Sequence, residues 1–534
     1  MKKAPDSKKL RGGYYTSPEI ASALVRWVSP EKAEIILEPS SGDGVFLKAI
    51  RDYSESRGIS DLEVISIELD PEEAKKSSDY YPTVGADFFT FFRDNIRNKK
   101  SVDVLVGNPP FIRYQNFDRE YREIAFDLMH EYGFNPNKLT NIWIPFLLLG
   151  SEALSDTGRI GMVIPAELFQ VNYAAEARKY LMNRFSRLTL VLANEMLFDG
   201  AQQEIILVMG EIKSDNPGIY TAGFGSLDDI SDCSYRRVSE YEEKRKPIIE
   251  EKWSLYYLSN QEIALIDRIR SSTQVHASQE LFDCNVGVVT GDNDYFIVDN
   301  STKNKYSLDA SMPIVTGTDF LDGIVFGEKD LILQSETKKS WLFLPTTTDE
   351  TKLTEGERDY LKVGRSNNTP EGFKCRTRKC WFEVPVSWAP EAFFYRQVGS
   401  HPRIVLNKTD ALTTDTLHKI RFKPGVDPDK VACSMLNSFT FLCCELLGRS
   451  YGGGVLTFEP SEVRAMPIPI IDGYVPEIQL IDRLVRANRF DEILQINDEE
   501  ILRKGLGFKE EDVRSINKMW KKLRDRRASR KRNA

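Results

Sequence analysis

One run in the sequence, Asn108-Pro109-Pro110-Phe111, has residue types suited to chemistry on an amino nitrogen. It follows directly on the apolar stretch VDVLVG (102–107). Two prolines fix φ and remove two N–H donors, so the turn presents carbonyl oxygens and the Asn108 carboxamide oxygen without competing backbone donors. Such acceptors can take both hydrogens of an exocyclic amine. The amino nitrogen of a nucleobase is a weak nucleophile because its lone pair is delocalised into the ring. Two acceptors favour a more tetrahedral nitrogen and stabilise the positive charge that develops as it attacks. Phe111 adds an aromatic face for a base taken out of its stack.

Upstream, EPSSGDGVF (38–46) carries Glu38, Ser40, Gly42 and Gly44 in a loop between an apolar run and a helical one. The two glycines permit a tight turn and close backbone approach to a ligand, although a plain strand-to-helix turn reads the same way. Leu47 breaks the longer G-x-G-x-x-G pattern, which disfavours a dinucleotide. Glu68 closes the run VISIE 24 residues after Gly44, where a carboxylate can accept both hydroxyl protons of a ribose. In GADFF (85–89), Asp87 can accept from an adenine amino group and Phe88 can flank the ring. Three acids at successive strand ends suit a neutral-to-cationic adenosine better than a polyphosphate. That points to S-adenosylmethionine, whose sulfonium methyl needs no strong general base at the acceptor.

Positioning these residues requires regular elements, and the apolar patterning supplies them. EIILE (34–38), VISIE (64–68), VDVLVGN (102–108), RIGMVIP (159–165) and EIILVMGEI (204–212) read as strands; 44–57, 142–154 and 174–185 read as helices. This alternation predicts an α/β fold, a doubly wound Rossmann-like parallel sheet reaching to about residue 215. Beyond it, β-like runs such as VVTGDNDYFIV (288–298), RIVLNKT (403–409) and HKIRF (418–422) sit among turn-rich stretches and predict a mixed, β-rich second domain. The chain is divided into residues 1–235, 236–475 and a helical 476–534 with a basic tail.

The ordered motifs resemble the γ group of DNA adenine-N6 methyltransferases that accompany type II restriction systems. The resemblance covers roughly residues 11–212. It implies that YYTSPEI (14–20) is the N-terminal cofactor motif, with Thr16 near the methionine portion. It further implies Glu38, Ser40, Gly42, Gly44, Glu68, Asp87, Phe88 and Phe146 at the cofactor and Asn108 to Phe111 at the reacting base. MLFDGAQQEIILV (196–208) resembles the motif whose aromatic residue stacks on the flipped adenine, which nominates Phe198. The residue at 38 is Glu where many relatives carry Asp, preserving the charge. The part after the catalytic domain would then be a target-recognition domain, with double-stranded DNA as substrate and a cognate restriction endonuclease as functional partner. NPPF is shared with RNA and protein amino-group methyltransferases, so those substrates stay open, as does a non-catalytic DNA-binding protein.

The chain has 534 residues and a net charge of −8, with 41% hydrophobic and 28% charged residues, which excludes a largely disordered or fibrous protein. Seven cysteines with no Cys-x-x-Cys pair and four histidines argue against a disulfide framework or a zinc site; no metal is expected. No run approaches about 18 apolar residues, so no membrane contact is expected and the protein is read as cytoplasmic and monomeric. The acidic balance is uneven. Residues 1–235 hold 26 basic and 35 acidic side chains, whereas 358–423 carry a net +7 and 518–534 a net +8. Arg365, Lys374, Arg376, Arg378 and Lys379 crowd one turn-rich stretch, which suits phosphate contact or a solvated loop. The tail suits DNA contact or solubilisation, and the glycines of RSYGGGVLTFEPSEVRAMPIP (449–469) suit either close DNA approach or a turn. Asp330 with Glu336-Thr337-Lys338 faintly matches the acid-x-Lys pattern of metal-dependent nucleases. With about ten residues before the first cofactor motif, no nuclease domain is expected at the N-terminus.

Overall fold

The computed structural model describes residues 16–28, 33, 35–193, 204–224, 242–247, 252–450 and 454–529. The chain divides into two compact units, residues 1–260 with 533–534, and 261–532.

In the first unit the apolar runs become strands β1 (Ile35–Glu38), β2 (Glu63–Glu68), β3 (Thr83–Gly85), β4 (Val102–Gly107), β5 (Leu154–Pro165), β6 (Arg187–Ala193), β7 (Ile205–Glu211), β8 (Gly218–Phe224) and β9 (Glu242–Lys244). They form one sheet in the order β3-β2-β1-β4-β5-β7-β6-β8-β9. Pairing is parallel from β3 to β5, and β7 enters antiparallel between β5 and β6. The sheet therefore continues past residue 215, since β8 pairs in parallel with β6 and β9 pairs antiparallel with β8. The glycines that punctuate GIYTAGF weaken its apolar signal, which is why the sequence alone ends the sheet too early.

The central strands are covered on both faces, as parallel strands must be. Along β4, Leu105 joins a core with Trp143, Leu147 and Phe88, while Val104 and Val106 face Ile20, Leu24, Phe46 and Ile50 on the other side. This is the two-residue alternation of a strand applied to two cores. The strand order reverses at β1 and β4, a switch point where helices leave to opposite faces and a crevice opens beyond the carboxyl ends.

The second unit holds a five-stranded sheet ordered Phe282–Val286, Leu417–Phe422, Ala392–Tyr395, Ile404–Asn407 and Val325–Phe326, with smaller sheets around it. The runs at 403–409 and 418–422 are strands as expected. The run at 288–298 is not: Asp292 accepts from the Tyr295 amide at 3.2 Å, caps a short helix Asn293–Phe296, and leaves only Ile297–Val298 extended. An N-cap aspartate outweighs the β-propensity of the residues after it. The basic C-terminal segment is also not a free tail through residue 529. It lies in a helix, Glu510–Ser529, packed on the apolar helix Ser438–Leu447, with Ile516, Met519, Trp520 and Leu523 buried. Among the described residues no single helix is long and apolar enough to cross a membrane.

Candidate active site

Glu38 ends β1, Glu68 ends β2, Asp87 follows β3 and Asn108 follows β4, so strand length alone delivers four polar side chains to one end of the sheet. They line a single cavity of about 640 Å³ with Thr16, Ser40, Gly42, Phe88, Pro110 and Phe146. The loop after β1 is tied down from both sides. The Ser41 amide donates to the Ile67 carbonyl at 3.0 Å, and the Gly42 amide donates to Glu68 Oε2 at 2.8 Å. Gly44 has φ of +86°, and a Cβ there would sit 2.8 Å from the Ser77 backbone and 2.9 Å from the Tyr80 ring. Its role is close packing of the helix that follows, in a left-handed conformation that disfavours other residues.

Glu68 Oε1 accepts from the Asp70 amide at 2.8 Å, so each carboxylate oxygen has one backbone donor and keeps a lone pair for a hydroxyl. Asp87 caps the next helix, with Oδ1 accepting from the Thr90 amide at 2.9 Å and the Thr90 hydroxyl at 3.1 Å. Phe88 and Phe146 stack on each other with centroids 5.1 Å apart and planes 17° apart; they form one aromatic wall of the cavity, not the two faces of a slot. Phe117, absent from the sequence-based set, lines the cavity beside them, as do Ser41, Asp43 and Ile112.

Burial raises the carboxyl of Glu38 well above the ordinary range, helped by the nearby Glu68 and Asp43 charges. Burial likewise raises Glu68, Asp87 and Asp43. Glu38 Oε2 and Ser41 Oγ are buried and meet no hydrogen-bond partner among the described residues. A cavity of crowded carboxyls with acceptors to spare disfavours phosphate and suits a cationic group rich in hydrogen-bond donors.

At the turn after β4, Asn108 Nδ2 donates to Thr16 Oγ1 at 3.1 Å, and Ser40 Oγ donates to the Asn108 carbonyl at 3.3 Å. Thr16 thus holds the donor end of the carboxamide, which leaves Oδ1 as its acceptor end. That link ties the chain before the helix Pro18–Val28 to the turn after β4. The amide of Ile142, at the start of the helix bearing Phe146, donates to the Ile112 carbonyl at 3.0 Å and fixes the turn's far side. Pro109 is buried and Pro110 faces the cavity, whereas Phe111 is half-buried against both cores of the unit and is not part of the lining. Phe198 lies outside the described residues.

The family model described as "Eco57I restriction-modification methylase" matches residues 47–198, and "Type II methyltransferase M.Eco57I, C-terminal domain" matches 250–502. Type II methyltransferase M.AccI of Acinetobacter calcoaceticus is 23% identical over 516 residues, covering 92% of this chain and 90% of its own. M.XamI of Xanthomonas campestris pv. amaranthicola is 21% identical over 488 residues, covering 86% and 85%. The chain belongs with the type II restriction-modification methyltransferases. In fold, the methyltransferase resembles the type IIL restriction-modification enzyme MmeI, solved in complex with DNA, with a TM-score of 0.56 at 12% identity over 98% of this chain and 80% of that one. It spans 66% of the type IIG restriction endonuclease BpuSI, at a TM-score of 0.41.

In the second unit of the methyltransferase, the five nominated cations separate into two kinds. Arg378 is built in: its guanidinium donates to the Val289 carbonyl at 2.9 Å and the Thr290 carbonyl at 2.7 Å. Arg365 pairs with Glu350 at 2.6 Å. Lys374, Arg376 and Lys379 are exposed, and no carboxylate of the described residues pairs with them. The faint nuclease pattern dissolves. Asp330 accepts from the Gly327 amide and pairs with Arg486, Lys338 pairs with Asp319, and among the described residues no metal-binding cluster forms.

Proposed function

We propose that this DNA methyltransferase moves a methyl group from S-adenosylmethionine to N6 of adenine, at a specific sequence in duplex DNA, with the base flipped out of the helix. The observation that carries this reading is the cavity in which Asn108 meets Glu38, Glu68, Asp87 and the Phe88–Phe146 wall. When bound, the cofactor supplies a sulfonium methyl that an amine can attack directly. The protein's part is to bind and orient. Glu68 would take ribose hydroxyls, Asp87 the cofactor's adenine amine, and Glu38 with Ser41 the cationic methionine end. Asn108 Oδ1 and the turn carbonyls would accept the N6 hydrogens of the target base and carry its developing charge. Lys374, Arg376 and Lys379 would contact phosphates, with Arg365 and Arg378 shaping the loop around them.

One chain acting alone on one strand at a time is sufficient for modification, and a separate restriction endonuclease would be its functional counterpart. The deciding experiment incubates the purified protein with cofactor and unmethylated plasmid, then maps modified bases by single-molecule sequencing. N6-methyladenine at a recurring short sequence is the expected result. Methylcytosine, or no DNA modification beside methylated RNA or protein, would sink the adenine assignment.

The raised carboxyls make a further prediction. A carboxyl whose folded pKa exceeds its unfolded value contributes stability below the unfolded pKa and loses it as pH rises through the folded one. The cavity should therefore strain the ligand-free protein most when its acids are ionised, and a cationic ligand should relieve that strain. The melting-temperature increase produced by S-adenosylmethionine should grow as pH rises from the ordinary carboxylate range toward neutrality. An increase that is flat or falls with pH, measured by scanning fluorimetry, would contradict the electrostatic reading of Glu38 and Glu68.

A further inference from the structure

Phe373 is 67% exposed, which is uncommon for a residue that gains so much from burial. It opens a single helical turn, Phe373–Arg376, and its neighbours on that turn and just beyond are Lys374, Arg376, Thr377 and Lys379. The ground beneath it is firm. Cys375 is fully buried, Thr369 donates to the Asp292 carboxylate at 2.8 Å, and Arg378 clamps the loop onto the carbonyls at 289 and 290. An aromatic ring is thus held out on a well-bonded base, with Lys374 Nζ 5.9 Å from its centroid and Arg376 and Lys379 close by in the chain, none of them neutralised by a carboxylate of the described residues.

That setting selects the partner. A protein interface or a membrane surface would need a contiguous apolar patch around the ring, and here its neighbours along the chain, Lys374, Arg376, Thr377 and Lys379, are charged or polar. A lone aromatic among unpaired cations matches nucleic acid, where phosphates take the charges and the ring meets bases. We propose that Phe373 is a wedge that enters duplex DNA and stacks against its bases, while Lys374, Arg376 and Lys379 hold the phosphates beside it. The proposal rests on the DNA-methyltransferase reading and adds a residue to it that charge alone does not identify.

The test uses the full chain and a fluorescently labelled duplex containing the methylated sequence found by mapping, with anisotropy read across a salt series. Replacing Lys374, Arg376 and Lys379 together with Ala should flatten the plot of log affinity against log salt by about 3 units of slope, roughly 0.9 per lost phosphate contact. Phe373→Ala should leave that slope unchanged and weaken binding by about 10- to 100-fold, the range for removing a base-stacking aromatic. Phe373→Trp should restore binding, and its added fluorescence should be quenched on the duplex. Because the ring is exposed, the melting temperature of Phe373→Ala should match wild type, which separates lost contact from lost fold. If wild type methylates the plasmid while Phe373→Ala binds the duplex as tightly as wild type, the wedge is refuted and the methyltransferase reading stands. If wild type neither binds nor methylates DNA, both fall together.

Discussion

Asn108→Ala should lower methyl transfer by about 10³-fold, the scale seen when a charge-stabilising group is removed from an active site, while cofactor affinity changes little. The split follows from the geometry. Asn108 stands at the β4 end of the cavity, whereas the proposed cofactor contacts of Glu38, Glu68 and Asp87 come from the other strand ends. Single-turnover transfer and calorimetric titration of the cofactor measure the two effects separately. Retained turnover would remove Asn108 from the reaction; lost cofactor binding would place it in the cofactor site instead. Thr16 gives a graded companion. Thr16→Val keeps the shape and deletes the hydroxyl that accepts from Asn108 Nδ2 at 3.1 Å. Freed from that anchor, the carboxamide can turn its NH₂ toward the substrate, and turnover should fall about 3- to 10-fold, the worth of one neutral hydrogen bond. Thr16→Ser, which restores the hydroxyl, should recover most of the rate; a purely steric role for Thr16 would not show that recovery.

Arg527→Met should destabilise the second unit by about 3–5 kcal/mol, the usual cost of leaving one member of a buried ion pair behind. Arg527 and Glu445 each expose 4% of the side chain, and their bidentate contact runs at 2.8 and 2.7 Å. The same guanidinium donates to the carbonyls of Gly399 and Gly454, so three separate segments of the unit close on one side chain of the terminal helix. Methionine keeps the apolar stem and removes the charge. Glu445, already raised by burial and held down chiefly by Arg527, should then fold only in its protonated form, so the loss should be larger at pH 8 than at pH 5. Calorimetry should place the second unit's transition about 10 °C lower. Adding Glu445→Gln to the variant should recover part of the loss, and a shift below about 1 kcal/mol would show the pair to be dispensable.

The sequence makes the site more legible than the frame of the second unit. EIILE, VISIE and VDVLVG are inner strands of the sheet whose runs are mostly apolar, and their ends fall at Glu38, Glu68 and Gly107. The polar residues that matter are the ones that close or directly follow those runs, which is why NPPF and the acids stand out. The Thr16–Asn108 hydrogen bond is not legible, because it joins residues 92 positions apart and depends on side-chain orientation. Charge is the least transferable signal. Lys374 and Arg378 are equivalent in composition, yet one points into solvent and the other satisfies two carbonyls. In the terminal segment the cations decorate a helix whose buried face is carried by Ile516, Met519, Trp520 and Leu523, spaced at helical intervals that net charge conceals.

The placement of β7 between β5 and β6 also sets an order of events during synthesis. The sheet neighbours of β6 are β7 and β8, and both lie later in the chain. As the polypeptide leaves the ribosome, the apolar strand Leu188–Leu192 must therefore wait unpaired, and β5 keeps an open edge, until residues 205–211 emerge and wedge between them. For that interval two hydrophobic edges are available to other chains. Products ending between β6 and β7 should accumulate as aggregates, and those extended past β8 should be soluble. The first unit can complete its sheet only after every strand that shapes the cavity has already been made.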